Sequence, residues 1–214
     1  MFRRLLIVIL FSIAFAYIES AVVVYLRVIF HSDGFSFPLP VFDLNPLWKR
    51  LILIEVGREA ATIVVIATGA WLFGRSALER WAYGLVIFAI WDIFYYVWLK
   101  VLLDWPASIM DWDILFLIPV AWASPVLYPV LVSMAMLAMA VIILWQSEKN
   151  NPLRLGKSNG IALLAGCGII VLSFCIGGSH ITKPDFADYF WWPLFAVGYV
   201  LSISAFGRAL VCKL

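Results

Sequence analysis

The chain has 214 residues, of which 65% are hydrophobic and 13% are charged, and its formal net charge is +2. This composition excludes a soluble globular domain, and the lack of a basic patch or binding motif argues against nucleic acid as a partner. Apolar runs of about 20 residues, each enough to cross a hydrocarbon layer of about 30 Å, recur along the sequence. We therefore predict an all-α integral membrane protein whose main partner is the lipid bilayer.

Six transmembrane helices with short loops account for the sequence, and we expect them to form a single polytopic domain over residues 1–214. The first span begins like a signal peptide, with Arg3 and Arg4 before an apolar stretch. Its apolar run continues to Phe30, so we expect a membrane helix rather than a cleaved signal. The predicted spans cover residues 4–30, 47–73, 81–103, 124–146, 159–177 and 191–210.

The first and third spans resemble each other. The stretch ESAVVVYLRVIF (19–30) aligns without gaps on DIFYYVWLKVLL (92–103), with an acid first and a base near the end. Since both spans are predicted to run outward, the pattern indicates a partial parallel repeat, as found in some transporter folds.

Between the third and fourth spans lies DWDILFLIPVAWA (111–123), which is too short to cross a bilayer if a helix begins at Pro125. Ser124–Pro125 has the pattern of a helix N-cap followed by proline, as does Asn45–Pro46, and Ser158 is a candidate cap for the fifth span. We interpret 111–123 as a short re-entrant or interfacial segment. The alternative is one long helix over 113–146, kinked at its prolines.

The fifth span is rich in small residues, including Ala162 and Gly166 four positions apart. Such spacing allows a neighbouring helix to approach closely, so this span is predicted to be a packing surface.

Loop charges predict the orientation in the membrane. The loops 31–46, 104–123 and 178–190 are acidic, whereas the termini and the other two loops carry most of the basic residues. Lys49, Arg50 and Lys183 run against this pattern but are outnumbered. By the positive-inside rule, both termini are cytoplasmic, in a membrane of the plasma or inner-membrane type.

Charged residues inside the second span are the most informative feature of the sequence. Glu55, Arg58, Glu59 and Thr62 are spaced so that all four lie on one stripe of the helix. A charged group at the bilayer centre costs at least about 2.5 to 3.5 kcal/mol, so this stripe is predicted to face other helices or a water-filled cavity.

Four acidic side chains are predicted to lie at one depth. Counting inward from Arg27 and Lys100, which we expect to reach the headgroups, places Glu19 and Asp92 about 12 Å below the outer rim. Glu55 and Glu59 lie about 8 and 14 Å below the same rim when counted from Arg50. The predicted binding site therefore joins residues of the first three helices, with hydrogen bonds from two tyrosines: Glu19, Glu55, Arg58, Glu59, Asp92, Tyr95 and Tyr96.

Four carboxylates against one guanidinium would leave a large negative charge in a medium of low dielectric constant. The excess is removed if some carboxyl groups are protonated or if a cation binds between them. The alternative is a structural network in which Arg58 bridges Glu55 and an acid on a neighbouring helix, with Glu59 permanently protonated.

Metal binding is a sharper version of the same hypothesis. Glu19, Glu55, Glu59 and Asp92 would form an oxygen-rich shell suited to a hard cation, divalent or monovalent. The two histidines, His31 and His180, lie in predicted outer loops, which argues against zinc and haem as cofactors.

No sequence motif identifies a substrate or a reaction, so three classes of function stay open. The leading hypothesis is cation or proton binding, exchange or coupled transport at the buried carboxylates. The second is a non-catalytic subunit of a larger membrane complex, or a homo-oligomer, packed through its small-residue helix faces. The third is a metal-dependent membrane enzyme acting on a lipid-soluble substrate.

Overall fold

The described part of the chain folds into six α-helices and one small β-sheet. A computed structural model describes residues 2–30, 34–39, 46–151 and 153–211, without the side chains of residues 30, 47 and 48. The helices are α1 (Phe2–Phe30), α2 (Pro46–Phe73), α3 (Ala77–Leu103), α4 (Leu127–Glu148), α5 (Lys157–Gly178) and α6 (Trp192–Val211). The strands are β1 (Trp112–Phe116) and β2 (Trp122–Pro125), and a short 3-10 helix covers Phe186–Tyr189.

All six predicted spans are confirmed as helices, with ends that differ from the predicted ones by four residues or fewer. In the described part of the chain, five helical segments are long and apolar enough to cross a membrane. Their outward side chains include many large apolar groups, such as Leu10 and Leu164, which suit contact with lipid. The protein is therefore a polytopic, all-α membrane protein.

The segment between α3 and α4 is separate from both helices, as predicted, but it contains a β-hairpin. Strands β1 and β2 pair in a two-stranded sheet, and α4 begins only at Leu127. The alternative of one kinked helix over 113–146 is therefore wrong. Short apolar runs do not distinguish strand from helix by periodicity, so the hairpin could not be predicted from the sequence.

Two of the predicted helix caps are also wrong. Ser124 lies in β2, and α4 starts without a side-chain cap. Ser158 lies inside α5, which begins one residue earlier. Asn45 lies outside the described residues. The cap that the sequence reasoning missed is Ser76, whose hydroxyl oxygen accepts a 3.2 Å hydrogen bond from the Glu79 N–H at the start of α3.

The described helices pack into two compact units. The first unit contains α1, α3, α4 and the C-terminal end of α2 from Val65 onward. The second contains the N-terminal part of α2 up to Val64, the hairpin residues 112–124, α5 and α6. Helix α2 therefore contributes to both units, and its charged stripe belongs to the second. The expectation of a single domain stays a prediction.

In the first unit, α1 and α4 both pack against α3. The ring centroids of Phe15 and Trp91 lie 6.1 Å apart, and further along both helices the Ser20 hydroxyl donates to the Tyr95 carbonyl at 3.2 Å. These contacts advance together along the two helices, so α1 and α3 run parallel, in agreement with the expected common direction of the two spans.

In the second unit, α5 and α6 run antiparallel and touch through small residues. A Cβ atom built on Gly166 would lie 2.8 Å from the carbonyl oxygen of Gly198, and one built on Gly198 would lie 2.7 Å from the carbonyl oxygen of Gly166. Backbone therefore meets backbone here. This close approach is the packing role predicted for the small residues of the fifth span.

The α5–α6 contact gives a prediction with a matched control. We expect Gly166→Ala to lower the free energy of unfolding by about 1–3 kcal/mol, because the new methyl group has no space beside α6. Gly168 lies on the same helix with nothing within 4 Å of its built Cβ atom. Gly168→Ala should leave stability unchanged or raise it by up to about 1 kcal/mol through helix propensity. Unfolding of both variants in mixed micelles measures the difference, and equal stabilities would contradict the close packing.

Candidate functional site

Arg58 and Glu55 form an ion pair within α2. Two of the Arg58 side-chain nitrogens contact the same carboxylate oxygen of Glu55, Nη2 at 2.7 Å and Nε at 2.8 Å. The two side chains are 23% and 16% exposed, so the pair is half-buried. This is the first contact of the structural network that the sequence offered as an alternative to an ion site.

Glu59 lies one residue further along α2 and is 6% exposed. Its carboxylate accepts hydrogen bonds from the Leu117 N–H, at 3.0 Å to Oε1 and 2.8 Å to Oε2. The Ile118 N–H also donates to it. Peptide N–H groups are strong partners for a buried acid, so Glu59 and the chain leaving β1 satisfy each other.

Two glycines at the end of α5 contact the hairpin around the start of β2, within the second unit. A Cβ atom on Gly177 would lie 2.5 Å from the Ala123 carbonyl oxygen, and one on Gly178 would overlap the Ala121 carbonyl group. Only residues without a side chain allow this approach. The hairpin is therefore held at Glu59 by the residues that follow β1 and at the end of α5 by residues at the start of β2.

In the first unit, Asp92 of α3 meets α4. The Ser133 hydroxyl donates a 2.7 Å hydrogen bond to Oδ2 of Asp92, and the Ser133 side chain is fully buried. Tyr95 and Tyr96 follow on α3, with ring centroids 5.0 Å apart. The ring of Tyr96 also packs against that of Trp105, with centroids 6.4 Å apart.

Glu19 lies on α1 and is 8% exposed. The hydrogen bond between Ser20 and the Tyr95 carbonyl fixes the register of α1 against α3. At about 1.5 Å per residue, this register puts Glu19 and Asp92 within about 3 Å of one level along the two helices. The two acids therefore lie near one level of the α1–α3 pair, and their depth in the membrane stays a prediction.

Arg27 lies in the last turn of α1 and packs against aromatic side chains. It is 7% exposed, and its guanidinium carbon lies 4.1 Å from the ring centroid of Phe35 and 3.8 Å from that of Trp105. Two aromatic faces therefore stabilise the cation, and its expected extension to the headgroups stays a prediction. Lys100 does reach an exposed carboxylate, 2.7 Å from Asp104, and lowers the pKa of that carboxyl.

The seven residues of the predicted site thus fall into two groups. Glu55, Arg58 and Glu59 belong to the second unit, whereas Glu19, Asp92, Tyr95 and Tyr96 belong to the first. Among the described residues, no three histidine, cysteine, aspartate or glutamate side chains form a group that could hold a metal ion. The sequence reasoning found the buried acids but missed their partners Ser133, Leu117 and Ile118.

Comparisons with known proteins give no match to a family model, to a curated protein or to a solved structure. The class of the protein, a polytopic integral membrane protein, rests on its own composition and fold.

The Glu59 contact predicts a local effect on the hairpin. Glu59→Ala removes the acceptor of the Leu117 N–H, and leaving a buried donor unsatisfied costs about 1–3 kcal/mol. We therefore expect amide hydrogen exchange at Leu117 to accelerate by about tenfold or more, since about 1.4 kcal/mol corresponds to a factor of ten. Exchange followed by mass spectrometry in micelles gives the measurement.

Glu55→Ala is the matched control for that experiment. It removes an acid of the same helix whose described partner is Arg58 rather than the hairpin. Exchange at Leu117 should stay at the wild-type rate in this variant. An equal acceleration in both variants would mean that the hairpin responds to the charge of α2 and not to the hydrogen bonds of Glu59.

Proposed function

We propose that the protein binds and exchanges protons, or a small hard cation in their place, at the carboxyl groups of Glu19 on its first helix and Asp92 on its third. The observation that carries this proposal is the pair Glu19 and Asp92. They lie on parallel neighbouring helices, within about 3 Å of one level, and Glu19 is 8% exposed. Acids buried in an apolar helix bundle are seldom kept for stability alone.

The chemistry of Ser133 supports exchange at Asp92. A serine hydroxyl has one hydrogen to donate and two lone pairs that accept, and it can rotate between these roles. Ser133 can therefore donate to the Asp92 carboxylate, as it does at 2.7 Å, or accept from the protonated acid. A partner of this kind tolerates both protonation states without movement of the backbone.

We assign the charged stripe of α2 a different role. A proton or cation arriving at Glu59 would compete with the hydrogen bonds from Leu117 and Ile118, and Arg58 already pairs with Glu55. Glu55, Arg58 and Glu59 are therefore proposed to form a fixed network that holds the hairpin. Exchange is placed in the first unit, at Glu19 and Asp92.

The orientation is also a proposal, and the first unit supplies support for it. Five of its seven described basic residues lie at the start of α1 and α3 or after the end of α2 and α4: Arg3, Arg4, Arg75, Arg80 and Lys149. The hydrogen bond between Ser147 and Glu79 joins two of these ends. The other two, Arg27 and Lys100, lie in the last turns of α1 and α3, at the opposite end. One end of the unit is therefore basic, as the positive-inside rule requires of the cytoplasmic end.

Asp92→Asn and Glu19→Gln test the proposed function in reconstituted vesicles. Both changes keep the size of the side chain but remove the group that binds the proton. We expect each to reduce proton or cation flux, followed by a pH-sensitive dye or by ion-binding isotherms, by about tenfold or more, the loss that corresponds to about 1.4 kcal/mol. Ser133→Ala should shift the pH dependence of the flux without abolishing it.

Glu148→Gln is the control, since Glu148 is an exposed acid at the end of α4 in the same unit. Its flux and binding should equal those of the wild type. Unchanged flux and unchanged isotherms in folded Asp92→Asn and Glu19→Gln would remove the proposal and leave the acids as structural groups.

A further inference from the structure

Helix α6 has two faces of different chemistry. One face is buried and includes Phe195, Gly198 and Ser202, which lie toward α5. The other face is exposed, with Val197 and Val200 about three-fifths accessible. It forms a shallow, open groove of about 500 Å³, lined by Ala196, Val197, Val200, Leu201, Ser204 and Arg208.

The groove changes from apolar to polar along its length. Its first four lining residues are aliphatic, the hydroxyl of Ser204 follows, and the guanidinium of Arg208 ends it. At about 1.5 Å per residue, the stripe from Ala196 to Arg208 rises about 18 Å. One leaflet of a hydrocarbon core of about 30 Å is about 15 Å deep. The groove therefore has the length and polarity of one phospholipid, from acyl chain to headgroup.

The positive charge at the Arg208 end of the groove favours a lipid with an anionic headgroup. Because α5 and α6 are antiparallel, Arg154 and Lys157 before and at the start of α5 lie at the same end of the unit as Arg208. Neither 154–178 nor 192–211, both described, contains an acid. A basic end with an apolar groove leading away from it attracts an anionic lipid. The fork of an arginine also matches two phosphate oxygens.

We propose that this face of α6 binds an anionic phospholipid, with its phosphate at Arg208 and an acyl chain along Ala196, Val200 and Leu201. A base in the last turn of a helix also complements the helix dipole. That role explains the position of Arg208 but not the continuous groove beside it or the two further bases at the same end. This lipid site is independent of the proposed exchange at Glu19 and Asp92.

The test uses the full chain reconstituted in vesicles with equal amounts of phosphatidylglycerol and phosphatidylcholine. After gentle extraction, mass spectrometry of the intact complex counts the retained lipids of each class. We expect phosphatidylglycerol to be enriched about fivefold on the wild type and Arg208→Gln to abolish the enrichment. Arg208→Lys should retain part of it, because the charge stays while the fork is lost.

Two further variants make the test decisive. Arg3→Gln removes an exposed base from a different helix and should keep the wild-type enrichment. Val200→Trp fills the groove without a change of charge and should reduce lipid retention while Arg208 is intact. Equal enrichment in the wild type and folded Arg208→Gln would overturn the proposal. So would a change of oligomeric state in Val200→Trp with no change in lipid, since a second copy of the chain would then occupy the face.

Discussion

The hydrogen bonds between the Glu59 carboxylate and the peptide N–H groups of Leu117 and Ile118 solve two problems at once. An acid on an apolar helix needs donors, and a chain segment that leaves a two-stranded sheet needs acceptors for its free N–H groups. Each supplies what the other lacks, at 2.8 Å for Leu117. Irregular backbone of this kind is tolerated in a membrane protein only where protein groups satisfy it. The hairpin and the charged stripe of α2 are therefore parts of one structure.

Because Glu59 is bound to the hairpin, we propose that the acids of the first unit are the ones that exchange protons or a cation. Asp92 meets a hydroxyl that can serve either protonation state, and Glu19 lies close to the same level on a parallel helix. The Arg27 guanidinium packs against two aromatic rings. The charged residues within the helices thus form two groups. One is the network of Glu55, Arg58 and Glu59 that we propose to hold the hairpin, and the other is the pair Glu19 and Asp92 that we propose to exchange protons or a cation.

Much of the fold could be predicted because lipid imposes a simple rule. Apolar runs of the right length become helices, so all six were found with ends off by at most four residues. The small residues of the fifth span also indicated the close contact around Gly166. The hairpin could not be found, since Trp112–Phe116 shows no alternation of polar and apolar residues and apolar strands lack a periodic signal. The predicted helix cap at Ser124 was wrong because this residue belongs to the unpredicted strand β2.

The site was predicted only in part. The free-energy cost of placing a charged side chain in a membrane identifies the residues that need partners: Glu19, Glu55, Arg58, Glu59 and Asp92. It could not supply those partners, because the Glu59 contact joins residues 58 positions apart and the Asp92 contact joins residues 41 apart. Nor could helical spacing show that α2 is shared between two packing units, which puts the acids into separate groups.

Infrared difference spectroscopy of the carboxyl groups during a pH titration tests the central claim most directly. If Asp92 and Glu19 exchange protons inside the bundle, the wild type should show a protonated-carboxyl stretching band that grows as the pH falls, at a frequency typical of an apolar environment. That band should lose intensity in Asp92→Asn and in Glu19→Gln. A wild-type spectrum without a titrating band of this kind, or one that both variants leave unchanged, would contradict proton exchange at these two acids.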